Sequence, residues 1–427
     1  MSFKKFDWYS WGIVVGVGVS VLVIFVVLSH LGLWLLGSYS LEWGGLFVFD
    51  GVSFYLGVLS VFLSLSLVFS SGVMSSISLG MLGLSVISSI LCYCCVNGLW
   101  FWIFYEMSIL PLLFLLIAES PYSERFIASW YLLGYVVVSS LPMLLCILYV
   151  GGIEGSYNFQ LWSSNFSLYG GFVVYGILSV MFITKIPLPP FHVWLPIVHA
   201  EASSPVSMCL SGYIMKLGLL GVCRFSYVLL SDYIFSSFYV VISLCFAVLF
   251  FFSAARELDG KRWLAFLSLA HIVVVSLCLN VCGFDSVLLS FLYCLGHGLS
   301  AGMTFMLLWM IYDVSGTRNW IVLKGSISSS LLLRCLSVVC VSSAASIPPT
   351  ANFFSEVLIL SESGVVSMMF VFMMGLYLFI SGLVPLFLVG CLLSRHYSIS
   401  FGCGHISGFV GGVCFLVGWC FMLFLVF

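Results

Sequence analysis

Residues 185–196 read KIPLPPFHVWLP, and this stretch places the strongest constraint on the fold. It places four prolines inside an apolar run, residues 170–199, that is long enough to cross a bilayer. Proline removes a backbone donor and clashes with the preceding turn, so a helix must break here. Inside a membrane, freed backbone groups are tolerated only where they are buried in protein or line a cavity. The stretch therefore predicts a broken transmembrane helix, and on its own it favours a structural kink over a transport site.

The rest of the chain has the composition of a membrane protein. Of its 427 residues, 63% are hydrophobic and 7% are charged, whereas soluble domains are about half apolar and about a quarter charged. We therefore predict an all-α polytopic membrane protein. Apolar runs separated by polar or turn residues predict about thirteen transmembrane helices, at residues 11–37, 47–69, 73–95, 98–117, 127–150, 170–199, 205–228, 233–254, 263–281, 285–311, 329–361, 366–393 and 408–427.

The charged residues exclude one class of function and orient the chain. A formal net charge of -2 offers no basic face for nucleic acid. Loop Lys and Arg residues should concentrate on one membrane side, and the thirteen-helix arrangement places these together: Lys4, Lys5, Arg125, Arg256, Lys261, Arg262, Arg318, Lys324 and Arg395. The opposite loops carry the acids Glu42, Glu154, Asp232 and Glu362. We expect the N-terminus on the basic side, which is the matrix or cytoplasmic side.

A second proline break matches the first. Residues 347–349 read IPP, and the two breaks fall in the fourth member of two successive blocks of five helices. Because each block has an odd number of helices, the second begins on the opposite side of the membrane, which makes an inverted repeat. The predicted divisions are N-terminal helices (1–72), a first repeat (73–228), a second repeat (229–393) and a C-terminal helix (394–427). Matched breaks in inverted halves favour a transport site over a structural kink.

Six ionisable residues lie within the predicted spans. A charge at the bilayer centre costs roughly 2.5–3.5 kcal/mol even on lenient insertion scales, so such groups mark pathways or partners. Each alone could be a packing residue or half of an ion pair, but six over both repeats favour a proton relay. They are Glu106, Lys185, Lys216, His271, His297 and Glu356. Four lesser candidates could have structural or functional roles equally well: His192, His199, Glu201 and Arg224.

The residue types suit proton transfer. Histidine exchanges protons near neutral pH, and burial or a nearby opposite charge shifts carboxylic acids and lysines toward the same range. We predict Lys185 and Lys216 as proton carriers, Glu106 as a modulator whose contact with Lys185 forms a gate, and Glu356 as the exit group. The sixteen cysteines lack paired CxxC elements, so packing is the better interpretation and we assign no bound metal or cofactor.

The quoted stretch resembles the most recognisable segment of the antiporter-like, proton-translocating subunits of respiratory NADH:ubiquinone oxidoreductase (complex I). The likeness continues through 104–106 (FYE), 259–261 (DGK), 296–299 (GHGL) and 312–318 (YDVSGTR), and it covers residues 98–362. At the second break, one of three sister branches typically carries glutamate where the other two carry lysine. Glu356 fits the glutamate-bearing branch.

The resemblance implies a mitochondrially encoded, multi-pass protein of the inner membrane. It implies no cofactor in this subunit, with NADH, FMN, iron–sulfur clusters and ubiquinone elsewhere in the complex. The implied partners are other membrane-arm subunits, including the sister antiporter-like subunits, and the lipid bilayer. The chain departs from the family pattern in three places. It has one predicted helix fewer at the N-terminus, Ser203 stands where the family has a proline, and Val314 stands where the family often has a basic residue.

Two other functions stay open on the sequence. In a multisubunit cation/proton antiporter, the same relay would exchange cations for protons without any NADH-dependent activity. In a structural scaffold, the ionisable residues would only form pairs. Replacing Lys216 with a neutral residue would then impair assembly or have no effect, but it would not impair pumping alone.

Overall fold

The structure is a computed structural model that describes residues 41–43, 45–164, 171–226, 233–281, 286–328, 330–394 and 406–423. The predicted helix at 11–37 lies outside these residues, as do Lys4, Lys5, Asp232 and Arg395. Both proline stretches and all six candidate relay residues lie within them.

Helices make up most of the described chain, joined by short turns. Two strands come first, β1 (Leu41–Trp43) and β2 (Phe47–Phe49). The helices after them are α1 (Gly51–Phe69), α2 (Ser76–Cys94), α3 (Gly98–Glu119), α4 (Arg125–Glu154), α5 (Gly171–Ile183), α6 (Trp194–Glu201), α7 (Ser204–Phe225), α8 (Ser237–Arg256), α9 (Gly260–Val281), α10 (Ser286–Ser315), α11 (Trp320–Ile327), α12 (Leu331–Ala344), α13 (Ala351–Val366), α14 (Met368–Leu393) and α15 (Ile406–Met422).

The strands correct the all-α prediction in one detail. Residues 47–49 were expected to begin a helix, but they form β2, which pairs antiparallel with β1. The helix starts at Gly51 instead, because the Asp50 carboxylate accepts a hydrogen bond from the Ser53 backbone nitrogen at 2.9 Å. A carboxylate that satisfies a free N–H group in this way sets the first turn of a helix. The apolar strand residues misled the prediction because they continue the hydropathy of the helix.

The basic side also differs from the prediction. The short helix α11 was not expected, and it holds Lys324. Lys261 was assigned to a loop, yet it lies in the first turn of α9 and is only 3% exposed. Arg125 and Arg256 are the first residue of α4 and the last residue of α8. These basic residues therefore lie at helix ends rather than in the loops themselves.

Both proline stretches interrupt helices, as the sequence predicts. The first separates α5 from α6, and the second separates α12 from α13. At the first break, side chains from inside the protein satisfy carbonyl groups that the lost helical turn leaves free. The Tyr239 hydroxyl donates to the Pro189 carbonyl at 2.9 Å, and the Trp194 indole donates to the Thr184 carbonyl at 3.1 Å. This is how irregular backbone can be held at membrane depth.

Nine described helical segments are long and apolar enough to cross a membrane. They differ sharply in how much of their surface the rest of the protein covers. In the most apolar part of α7, α9 and α10, at least 89% of the residues are buried, whereas the figure for α8 and α14 is no more than 39%. The first three helices form the interior of the bundle, and the other two present their apolar faces outward.

Candidate functional site

Glu106 and Lys185 form a buried ion pair. The Lys185 Nζ atom lies 3.3 Å from Glu106 Oε1 and 4.2 Å from the centroid of the Tyr105 ring. Lys185 comes two residues after the end of α5, where the proline break begins, and Glu106 lies at mid-length of α3. Lys185 is 6% exposed. The predicted contact is therefore confirmed, while the gating role of the pair remains a prediction.

Lys216 is fully buried in α7 and is held by an irregularity of that helix. A five-residue π turn, Leu210–Ile214, interrupts the α-helical pattern immediately before it. The Lys216 ammonium group donates a hydrogen bond to the Ser211 carbonyl in that turn. A wider turn of this kind is frequent at functional sites, because it leaves backbone carbonyls available to side chains. The sequence alone gave no sign of this turn.

Gly218 lets α7 approach the first proline break. A Cβ atom at this position would lie 2.9 Å from Ile186 Cγ1, 3.1 Å from the Ile186 backbone nitrogen and 3.1 Å from the Phe182 carbonyl oxygen. Only glycine fits without displacing backbone. Because Ile186 directly follows Lys185, this close approach brings the helix that carries Lys216 against the segment that carries Lys185.

Two histidines continue the interior series on neighbouring helices. His271 lies in α9 and His297 in α10, and their ring centroids are 5.4 Å apart. Neither ring nitrogen of His297 makes a hydrogen bond to a described residue, and the same holds for Nε2 of His271. A Cβ atom on Gly298, the residue after His297, would lie 3.2 Å from the Gly212 carbonyl oxygen, so α10 packs against the π turn that precedes Lys216. The structure thus brings Lys216, His271 and His297 into one cluster.

Glu356 occupies the far end of this cluster, on α13 just after the second break. The Ser346 hydroxyl donates to Glu356 Oε1 at 3.1 Å. Ser346 has a φ of 52°, so the chain turns there in the left-handed region. The distance from Glu356 Oε1 to His271 Nδ1 is 3.9 Å, which is too long for a direct hydrogen bond.

Sequence reasoning missed two tyrosines in this cluster. Tyr377 comes from α14, and its hydroxyl lies 2.5 Å from Nδ1 of His271. Tyr293 lies one helical turn before His297 on α10, and its hydroxyl donates to the His271 carbonyl at 3.1 Å. The i, i+4 spacing of Tyr293 and His297 places both on one helix face. That spacing was the one available signal, because a tyrosine in an apolar helix is otherwise an ordinary packing residue.

Three of the lesser candidates have contacts of their own, away from the cluster. His199 is fully buried, and its ring stacks on Phe305 with the centroids 5.2 Å apart. His192 contacts the Phe250 ring, with the centroids 4.8 Å apart. Glu201 lies 4.0 Å from the Arg318 guanidinium. The structure joins none of these three described residues to the Lys216 cluster by a hydrogen bond or an ion pair.

Arg224 pairs with Asp50, which had not been singled out from the sequence. Its Nη1 and Nη2 atoms lie 2.5 Å and 2.8 Å from the two Asp50 carboxylate oxygens, a forked arrangement. Burial of Asp50 opposes its ionisation, but attraction to Arg224 and hydrogen bonds to Arg224 and Ser53 outweigh that effect and lower the Asp50 pKa below 3.8. The pair fastens the end of α7 to the start of α1.

A second charged group surrounds Tyr122, in the turn after α3. The Tyr122 ring is flanked by two cations, with Arg318 Cζ 4.0 Å and Lys261 Nζ 5.0 Å from its centroid. Arg318 also lies 3.2 Å from the Asp259 carboxylate. Lys261 and Tyr122 line a cavity of about 340 Å³ that reaches Glu119. This group ties the loop after α3 to the first turn of α9.

Taken as chemistry, the site consists of two sets of proton-exchanging groups. One is the Glu106–Lys185 ion pair at the first break. The other runs from Lys216 through the histidines to Glu356 at the second break. No hydrogen bond joins the two sets among the residues described. The arrangement has the features of a membrane transporter, since ionisable groups inside a bundle and discontinuous helices mark ion pathways.

Comparisons with known proteins agree with this class. Residues 95–383 match the family described as NADH:quinone oxidoreductase/Mrp antiporter, transmembrane. The NADH-ubiquinone oxidoreductase chain 4 of Locusta migratoria is 32% identical over 61% of this chain and 59% of its own length. That of Ceratitis capitata is 30% identical over 75% of this chain and 71% of its own length. The match thus spans less than two thirds of the first relative.

A solved structure shares the fold. A chain of respiratory complex I from Thermus thermophilus superimposes with a TM-score of 0.82 at 20% identity, covering 96% of this chain and 90% of that chain. This protein therefore belongs to the NADH:quinone oxidoreductase/Mrp antiporter family of transmembrane proteins, in its NADH-ubiquinone oxidoreductase chain 4 branch. The branch agrees with the glutamate at position 356.

Proposed function

We propose that this chain is the proton-translocating membrane-arm subunit 4 of an NADH:ubiquinone oxidoreductase. Electron transfer elsewhere in the complex would drive changes of protonation here, and protons would leave the basic-loop side of the membrane for the other side. The observation that carries the proposal is the buried series of ionisable groups between two broken helices. Ionisable groups inside a membrane cost free energy to bury, so they are expected to have a function.

Each relay residue has a proposed role. Lys185 and Lys216 hold and release protons, because both are buried and each has a polar partner, Glu106 for Lys185 and the Ser211 carbonyl for Lys216. Glu106 modulates Lys185 as its counter-charge. His271 and His297 carry protons between Lys216 and Glu356, the exit group, because their rings adjoin one another. His192, His199, Glu201 and Arg224 have positioning roles in this scheme.

The same proposal extends to architecture and setting. Thirteen transmembrane helices form two inverted five-helix repeats at residues 73–228 and 229–393, with further helices in 1–72 and 394–427. The protein is multi-pass in the mitochondrial inner membrane, with its N-terminus on the matrix side. Its partners are other membrane-arm subunits, including sister antiporter-like subunits. NADH, FMN, iron–sulfur clusters and ubiquinone bind elsewhere in the complex, and this subunit holds no cofactor.

One second function is supported by a specific observation. The matching family also includes Mrp antiporters, so a cation/proton antiporter subunit would carry a similar series of groups. The two functions differ in what drives them. An antiporter exchanges cations for protons in sealed vesicles without NADH, whereas the proposed subunit moves protons only while NADH is oxidised.

The proposed function is tested with Lys216→Ala in membranes where assembly of the complex has been verified. NADH-driven proton pumping and NADH:quinone turnover are measured together. We expect both to collapse in Lys216→Ala and to stay normal in Lys324→Ala, a matched lysine near the membrane surface whose amine contacts the Ser394 hydroxyl at 2.7 Å. Normal pumping in Lys216→Ala would make Lys216 structural and remove the proposed relay.

A further inference from the structure

The relay has a gap at its far end. His271 Nδ1 and Glu356 Oε1 are 3.9 Å apart, whereas a proton crosses directly only between atoms at hydrogen-bond distance, about 2.6–3.2 Å. Both groups are buried, with 3% and 2% of their side chains exposed. A proton that moves between them therefore needs an intermediate group.

Two tyrosine hydroxyls lie at this gap. The Tyr377 hydroxyl is 2.5 Å from His271 Nδ1, and the Tyr293 hydroxyl is 3.3 Å from the same nitrogen. The two hydroxyls are 3.3 Å from each other. The nitrogen that both hydroxyls contact is also the one that lies 3.9 Å from Glu356 Oε1. Tyr293 and Tyr377 come from different helices, α10 and α14, and both rings are completely buried.

We propose that Tyr377 is the proton bridge between Glu356 and His271, and that Tyr293 positions it. This inference rests on the proposed function, because it adds a residue to the same relay. Tyr377 has the shorter contact to the imidazole, whereas the Tyr293 hydroxyl also donates to the His271 backbone carbonyl at 3.1 Å. A hydroxyl proton engaged with a carbonyl is not available for transfer, so Tyr293 holds the geometry and Tyr377 passes the proton.

The step balances without any further reactant. Protonated Glu356 gives its proton to the Tyr377 oxygen while the Tyr377 hydroxyl gives its own proton to His271 Nδ1. The products are a carboxylate, an imidazolium and a tyrosine that is neutral again. The reverse step returns the proton by the same atoms. On the other side of the imidazole, His271 Nε2 makes no hydrogen bond to a described residue.

The other side chains at the gap, Ser346 and Phe251, do not replace the tyrosine. Ser346 donates to Glu356 Oε1 at 3.1 Å, but no hydrogen bond connects it to His271 among the described residues. The ring of Phe251 fills one side of the His271 imidazole, with centroids 5.8 Å apart, and it also packs on Tyr377 at 5.6 Å. The apolar ring closes that side of the gap and leaves the two tyrosine hydroxyls as its polar lining.

The test compares three single variants in the assembled complex. Tyr377→Phe keeps the ring and removes the bridging hydroxyl, and Tyr293→Phe removes the positioning hydroxyl. Tyr93→Phe removes an equally buried hydroxyl that makes no hydrogen bond to a described residue. NADH-driven proton pumping is measured in H₂O and D₂O, with Lys216→Ala measured in parallel. A positioned proton-transfer group contributes typically about 10²–10⁴-fold, so we expect pumping to fall at least about tenfold in Tyr377→Phe.

The pattern of the variants separates the possible results. The bridge predicts a larger loss and a larger solvent isotope effect in Tyr377→Phe than in Tyr293→Phe, with Tyr93→Phe unchanged. Normal pumping in Tyr377→Phe, with Lys216→Ala inactive, overturns the bridge and leaves the proposed function intact. Normal pumping in Lys216→Ala overturns the proposed function itself. Equal losses in Tyr377→Phe and Tyr93→Phe would show a packing effect and also overturn the bridge.

If Tyr377→Phe does not assemble, the wild-type complex provides the test. Infrared difference spectra are recorded during turnover and compared with those of Glu356→Gln. Because Glu356 is the exit group, the bridge requires that a protonated Glu356 carboxyl band appear as an imidazolium band is lost, without a tyrosinate band. Gain of the carboxyl band without loss of an imidazolium band, or with a lasting tyrosinate band, overturns the proposal.

Discussion

Replacing Glu106 with leucine should harm the protein more than replacing Glu106 and Lys185 together. At the observed separation of 3.3 Å, two unit charges attract by about 5 kcal/mol with an effective dielectric constant of about 20. Measured losses on removing one partner of a buried pair are of similar size, about 3–5 kcal/mol, because the other charge is left buried and unpaired. Replacing both partners with apolar residues is frequently close to neutral.

We therefore expect Glu106→Leu to lower the stability of the assembled protein by about 3–5 kcal/mol. Glu106→Leu with Lys185→Met should recover most of that loss. Proton pumping should not recover, because the double variant lacks both relay groups.

The measurements are the fraction of complex that survives heating, followed on native gels, and NADH-driven pumping of the surviving complex. Glu124→Leu, which changes an exposed carboxylate in the turn before α4, serves as the control for a loss of charge alone. A double variant that is no more stable than Glu106→Leu would refute the reasoning, because the unpaired lysine would then not be the cause of the damage.

Further outcomes are expected from two other contacts. Gly218→Ala should destabilise the protein by about 1–3 kcal/mol, the usual cost of overpacking, because its Cβ would meet the Ile186 backbone nitrogen at 3.1 Å. Gly176 has open space around it. Gly176→Ala should therefore be tolerated in the same heating assay. Asp50→Ala should cost about 1.5–3 kcal/mol through the lost charged hydrogen bonds to Arg224, seen as a lower midpoint of heat denaturation at pH 7. Because the folded-state pKa of Asp50 is lowered, its contribution should be complete above its usual value of 3.8 and decrease progressively as the pH falls below it. A midpoint difference between wild type and Asp50→Ala that does not shrink below pH 3.8 would contradict this assignment.

The features that could be predicted from the sequence are those in which one residue conflicts with its surroundings. Prolines 187, 189 and 190 cannot continue a helix, so the first break was predictable to within a few residues. Lys185 and Glu106 are conspicuous because a charge inside an apolar span needs a partner, and the structure does place them together.

Other features could not be predicted, because they depend on residues that suit any apolar helix. Nothing near Tyr377 in the sequence marks it out, and its significance comes from His271, more than a hundred positions away. The Asp50–Arg224 pair likewise joins residues 174 positions apart. The π turn before Lys216 is a backbone adjustment without its own sequence pattern. The start of α1 was misplaced because hydropathy does not distinguish a strand from a membrane helix over three residues.

The near-complete burial of α7 has a consequence for how the chain is made. This helix carries Lys216 and leaves the ribosome before α9 and α10, the equally buried helices that share its interior. A lysine at the centre of a lone membrane helix costs about 2.5–3.5 kcal/mol to insert. An insertion machinery that released each helix into lipid as it emerged would incur that cost in full. Release into lipid only after synthesis has passed Ser315 would avoid that cost, because the three interior helices would then enter the bilayer as a group.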